Sequence, residues 1–133
     1  YNTLVAPSNT GLLISCGSYN SNTGSLAIDS SRGFPRNAVK PDFTAPGVEI
    51  LGPLPRNRYG RKSGTSVSGA ITAGIAALML EWGIVKKNDM QINTTRIKNY
   101  LIRGARRDPE RIYPNREWGY GKVDLYETFL GIR

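Results

Sequence analysis

Ser66 is the residue of this chain whose type and setting best suit covalent chemistry. It stands in Ser63-Gly64-Thr65-Ser66-Val67-Ser68-Gly69, just ahead of the apolar run Ala70 to Trp82. A helix starting here leaves its first N–H groups without intrahelical partners. A serine at that end lies at the positive pole of the helix dipole, beside donors able to stabilise a developing oxyanion. The chemistry this suggests is attack on a carbonyl. The same residues have a plainer use, because serine and threonine lead the N-cap preferences, and Thr65 or Ser66 acting only as a cap needs no reactivity. A serine nucleophile also requires a neighbouring base and a carboxylate that orients that base. The sequence contains no histidine. Other chemistries lack residues: one cysteine, Cys16, excludes an internal disulfide and a multi-cysteine zinc site. No paired carboxylates or metal-ligand cluster stand out, and Gly119-Tyr120-Gly121-Lys122 lacks the spacing of a nucleotide loop.

The elements that must position Ser66 follow from pattern. From Thr65 to Trp82 only Glu81 is charged, which predicts a helix buried on all sides, stopped by Gly83. Leu12 to Tyr19 reads as a strand covered on both faces, Ser25 to Asp29 as a short strand, and Ser30 to Lys40 as loop. Asp42 to Ala45 leads into the turn Pro46-Gly47. Val48 to Leu51 alternates like a half-wet strand, broken by Pro53 and Pro55, and Arg56 to Lys62 is a basic turn. Asn93 or Thr94 caps a second helix with the apolar stripe Ile97, Tyr100, Leu101, Gly104 and Ala105, flanked by Arg96, Arg103 and Arg107, and ended by Asp108-Pro109. Trp118 to Gly121 reads as a tight aromatic turn. Asp124 with Glu127 forms a capping box for a last helix through Leu130. Strands followed by helices around an apolar one predict an α/β layer arrangement.

A chain of 133 residues, 39% hydrophobic and 21% charged, suits one domain or a piece of one. Its longest apolar stretch, Ile75 to Leu80, is short of the roughly 20 residues of a membrane span, and no signal peptide opens the sequence. The net charge of +8, with Arg103, Arg106, Arg107, Arg111 and Arg116 near Tyr113 and Trp118, would suit a nucleic acid. A solvated basic face on part of a domain accounts for it as well and is the favoured reading, which leaves nucleic acid and membrane as unfavoured partners.

Gly64-Thr65-Ser66-Val67-Ser68 with Gly74, preceded by Pro41-Asp42-Phe43-Thr44-Ala45-Pro46-Gly47, resembles the nucleophile region of subtilisin-like serine peptidases, the subtilases. Leu12 to Arg32 is similar to the passage upstream of these motifs in that family, so the resemblance covers nearly the whole chain. Leu101 to Arg107 and Tyr113 to Gly121 resemble clostridial subtilases of the spore-germination (Csp) type.

The resemblance implies that residues 1–133 are the C-terminal part of one catalytic domain of three-layer α/β fold, with a mostly parallel sheet and a buried central helix. It implies Ser66 as nucleophile and, through its N–H, oxyanion donor. Thr65 would assist that site, Ser63 would lie beside the bound substrate strand, and Val5 would narrow the primary specificity pocket. Asp42 would be structural, since the family's catalytic Asp and His, and its oxyanion asparagine, precede the region matched here. The chain alone would then be inactive, with the N-terminal part of the domain as partner and a polypeptide as substrate. No metal ligand or cofactor is assigned, apart from structural calcium in a full domain. A secreted or spore-associated bacterial setting follows. Two departures, Ala70-Ile71 for the family's Pro-His and Val67 for its usual Met, leave the nucleophile untouched. Two other functions stand beside the peptidase: a pseudopeptidase that binds or senses, and a basic nucleic-acid-binding module.

Overall fold

The computed structural model describes residues 3, 4, 6, 10–33 and 38–132. Strand β1 (Cys16–Tyr19) pairs in parallel with β2 (Phe43–Pro46), in the register Cys16 to Phe43 through Tyr19 to Pro46. On its other side β2 is met by the segment around Lys122, through Thr44 N–H to Gly121 O at 3.0 Å and Val123 N–H to Thr44 O at 2.9 Å. The antiparallel hairpin of β3 (Ile50–Leu54) and β4 (Arg58–Lys62) follows, and then α1 (Thr65–Leu80), α2 (Thr94–Gly104) and α3 (Leu125–Ile132). This is an α/β fold. Its parallel part, among the described residues, is the β1–β2 pair together with the Thr44 to Lys122 bridge.

The core joins Phe43 and Ala45 of β2, Met79 of α1, and Ile92, Ile97, Leu101, Ala105 and Val123. Trp82 lies between Tyr100 and Phe129, with ring centroids 5.9 Å from each. The stripe read at helical spacing therefore does face the core. Asn93 caps α2, its side chain accepting the Arg96 N–H at 3.0 Å, and Asp124 caps α3 by accepting from Glu127 N–H at 3.0 Å. Helix α2 ends at Gly104, before Asp108-Pro109, because Ala105 turns extended and Arg106 pairs with Lys122.

Several expectations are corrected. Leu12 to Ser15 is not strand; Leu12 is 82% exposed, since only residues from Cys16 onward find β2 as a partner. Ser25 to Asp29 supplies a single bridge, Tyr19 to Leu26. Val48 to Leu51 becomes β3, which starts at Ile50 and runs through Pro53 on a solvent-facing hairpin where its missing N–H costs nothing to a central ladder. Of the basic turn Arg56 to Lys62, Arg56 and Asn57 are turn, and Arg58–Lys62 is strand β4. Gly83 does not stop the helix, which continues as a π-helical turn over Glu81–Val85. Gly83 is there for closeness: a Cβ on it would lie 2.9 Å from Ile92 Cγ2.

The largest correction concerns α1. Only Ser68, Thr72 and Met79 of that helix are buried, and Ala70, Ala73, Gly74, Ala77 and Leu78 are exposed. Within this chain it packs on β1 and β2 along one side, and nothing among the described residues covers the other. Composition marks both sides as apolar; it does not supply the second cover. The continuous helical stretch Thr65–Val85 is 21 residues, long and apolar enough to cross a membrane by length and composition, whereas counting only the unbroken run Ile75 to Leu80 suggests otherwise.

Candidate active site

The start of α1 is fixed by side chains that the chain's pattern does not advertise. Ser68 Oγ donates to the carbonyls of Ala45 at 3.1 Å or Pro46 at 3.2 Å, the last residues of β2. Gly64 N–H reaches Gly47 O at 2.7 Å. Gly47 tolerates this contact because it has no side chain: a Cβ there would lie 2.2 Å from both Ser18 Oγ and Ser68 Oγ. The helix thus begins at the carboxyl ends of the parallel strands, the place where open α/β sheets gather functional groups.

Gly64 is the N-cap, at φ 146°, and no side chain caps the helix. A pure capping role for Thr65 or Ser66 is therefore overturned: they occupy the first two helical positions instead. Ser66 is exposed, and its hydroxyl has no hydrogen-bond partner among the described residues. The N–H groups of Thr65 and Ser66 are equally unpaired, the first capping-turn bond being Val67 N–H to Gly64 O at 3.0 Å. With no acidic residue in the first turn to neutralise the dipole, a free hydroxyl and two free donors share the positive end of a 16-residue helix. That arrangement can hold an oxyanion next to an attacking oxygen.

Ser63, Thr65 and Ser66 are brought together, but Ser63 is not free. Its Oγ accepts the Glu49 N–H at 2.8 Å, tying the base of the hairpin to the segment that enters the helix. Val5 lies outside the described residues.

Asp42 is engaged by two lysines. It is buried, with Lys40 Nζ at 2.5 Å and Lys98 Nζ at 2.7 Å from its oxygens, and it accepts from Ser15 N–H at 2.8 Å. Burial pushes the Lys40 ammonium below its ordinary pKa, and the bond to Asp42 opposes that shift. Lys40 itself is fully buried, a placement that its position in a charged loop did not signal. The Trp118–Gly121 turn closes over this corner: Gly119 stands at φ 57°, and a Cβ on it would fall 2.2 Å from Pro41 O.

The arginines that suggested a polyanion are largely engaged. Arg106 pairs with Asp124 at 2.9 Å, Arg107 donates to the Tyr120 and Ile102 carbonyls, and Arg111 pairs with Asp108 and lies over the Trp118 ring at 4.7 Å. Among the described residues no three carboxylate, cysteine or histidine side chains converge, so none is assigned to calcium.

Parallel strands, a helix starting at their carboxyl ends and an exposed serine in its first turn make up an α/β arrangement. The family profile described as the subtilase family matches residues 2–121, and the chain belongs to that family. The structure of the Clostridium perfringens CspB protease superposes with a TM-score of 0.94 at 42% identity, over 99% of this chain and 29% of that one. The prenylagaramide maturation protease PagA aligns at 25% identity, with a TM-score of 0.77 over 96% of this chain and 45% of that one. In sequence, the chain is 31% identical to the subtilisin-like protease SBT6.1 of Arabidopsis thaliana over 97% of its length, and 33% identical to the C5a peptidase of Streptococcus pyogenes over 65%. It spans 13% and 8% of those two relatives. The fold is subtilisin-like.

Proposed function

We propose that Ser66 is the nucleophile of a serine endopeptidase and that this chain supplies the nucleophile half of its site. The observation that carries the reading is the exposed, unpartnered Ser66 hydroxyl beside two free N–H groups at the head of α1. In the reaction, Ser66 Oγ gives its proton to a base and bonds to the scissile carbonyl carbon. The Ser66 N–H holds the oxyanion, and Thr65 assists it. The C–N bond then breaks as the amine leaves with that proton, and water releases the acyl group from the serine. The base and its orienting carboxylate come from outside these residues, because the sequence has no histidine. The chain by itself is accordingly inactive.

The same reading makes residues 1–133 the C-terminal part of a catalytic domain whose remainder covers the bare side of α1. Similarity to CspB across 99% of the chain supports a Csp-type peptidase, secreted or spore-associated in a bacterium, acting on a spore cortex-lytic proenzyme. Ser63 would border the bound polypeptide and Val5 its specificity pocket. The test is peptide hydrolysis by the full-length protein against its Ser66→Ala variant, with the 133-residue chain alone as control. Activity in the first preparation only is expected. Hydrolysis that survives Ser66→Ala removes the nucleophile, and hydrolysis by the isolated chain removes the half-site.

A further inference from the structure

The β3–β4 hairpin carries positive charge that no carboxylate of the described residues pairs with. Arg56, Arg58, Arg61 and Lys62 are all exposed, and none pairs with a carboxylate of the described residues. Two of them only brace backbone, Arg61 Nη1 to Glu49 O at 2.8 Å and Arg58 Nε to Pro55 O at 3.5 Å. By contrast Lys40, Arg96, Lys98, Arg106, Arg111 and Lys122 each meet a carboxylate. Glu49 is the one acid between Val48 and Ser66, so the cluster is not balanced locally.

Its placement is defined. Five residue pairs, Ile50 with Lys62 through Leu54 with Arg58, fix the hairpin, and Glu49 N–H to Ser63 Oγ clamps its base to the residues that lead into α1. Lys62 precedes Ser66 by four positions, a separation of at most about 14 Å along an extended chain. Side chains alternate along β4, so Arg58 and Lys62 share one face, Arg61 takes the other, and Arg56 stands at the tip. Tyr59, 73% exposed, adds an apolar surface on the face of Arg61.

We propose that this hairpin is a recognition surface for an acidic polypeptide segment, selecting substrates with several Asp or Glu residues a few positions from the bond presented to Ser66. Guanidinium groups fit carboxylates in a planar, bidentate manner, and an uncompensated cationic surface beside a site raises the local concentration of anionic ligands. The word substrate rests on the peptidase reading of Ser66; the binding surface does not.

The test uses the full-length protein with Ser66→Ala, which binds without cutting. Fluorescence anisotropy compares a labelled twelve-residue peptide containing four Glu in an Ala/Ser background with its Gln counterpart. Each exposed ion pair is worth a factor of about 1.4 to 5 in affinity, so the Glu peptide should bind on the order of tenfold more tightly. That preference should vanish in about 0.5 M salt, where screening is strong, and in the combined variant Arg56→Gln, Arg58→Gln, Arg61→Gln, Lys62→Gln. If the combined variant does not fold, Arg58→Gln and Lys62→Gln singly should each remove part of the preference. Equal binding of the two peptides overturns the proposal, as does a preference untouched by the variants, or tighter binding of a single-stranded oligonucleotide through the same residues. Because binding is read without catalysis, a failed nucleophile assignment shows separately, as intact binding with no hydrolysis by the parent protein.

Discussion

Replacing Gly104 by alanine separates local helix preference from tertiary packing. Gly104 is the last residue of α2, and there α3 crosses so closely that a Cβ would lie 2.2 Å from Thr128 Oγ1, 2.4 Å from Thr128 Cα and 2.5 Å from Thr128 N. Two of these three atoms are backbone, so a rotamer change cannot clear them. Restoring ordinary contact near 3.4 Å requires α3 to move by about 1 Å, against the packing of Thr128 and the Trp82–Phe129 rings. Alanine brings a helix-propensity gain of at most about 1 kcal/mol, while overpacking of this kind costs about 1–3 kcal/mol, and occasionally more. With backbone in the way the upper part of that range applies, and the net effect is a loss of about 2 kcal/mol. Urea unfolding of the full-length protein measures it as a fall in midpoint at constant slope. The control is Gly131→Ala in α3, where a Cβ meets nothing within 4 Å, and which should be neutral or stabilising. Thr128→Ala should not rescue Gly104→Ala. A Gly104→Ala protein as stable as the Gly131→Ala one would refute the close crossing.

Asp42→Asn leaves the buried Lys40 ammonium without its carboxylate and should cost about 3–5 kcal/mol, read in the same unfolding assay; a loss below about 1 kcal/mol would mean that Lys40 escapes to solvent. For Asp124, burial alone would raise the pKa, but the Glu127 N–H and the Arg106 guanidinium outweigh it and hold the carboxyl below its usual value. Its stabilisation is therefore present above the unfolded aspartate value of about 3.9 and lost as pH falls through the lowered folded value. In Asp124→Asn, which keeps a capping oxygen, stability should fall less steeply across that window, and identical acid limbs would contradict the assignment. Val67 places no sulfur next to Ser66. Mild peroxide should then oxidise Met90, 62% exposed, ahead of Met79, which is fully buried, and leave peptidase activity of the full-length protein intact. Parallel loss of activity and oxidation beside Ser66 would contradict this.

What the sequence disclosed was local chemistry. The caps at Asn93 and Asp124, the stripe Ile97–Leu101–Ala105 and the start of α1 each depend on neighbours within a turn or two, and all appear in the structure. What it concealed was long-range closeness. Gly83 looks like a helix stop and Gly104 like one more member of the apolar stripe, but they serve close contacts with Ile92 and Thr128. Leu12 and Leu13 look like strand but find no strand partner among the described residues, and Lys40 looks like a loop cation but is buried on Asp42. At the candidate site, the place of Ser66 in the first turn of α1 was legible from its motif, whereas the anchoring of Ser68 to β2 and the clamp between Ser63 and Glu49 join residues that are far apart in sequence. The bare side of α1 marks the same limit: an all-apolar helix announces that it needs cover, not where the cover lies.

The most direct measurement of the central claim is labelling with a fluorophosphonate, which bonds covalently to an activated serine. The full-length protein should acquire the adduct on the peptide that contains Ser66, and the Ser66→Ala variant, at an unchanged unfolding midpoint, should acquire none. Equal labelling of the two proteins, or no labelling of the parent, would contradict Ser66 as an activated nucleophile.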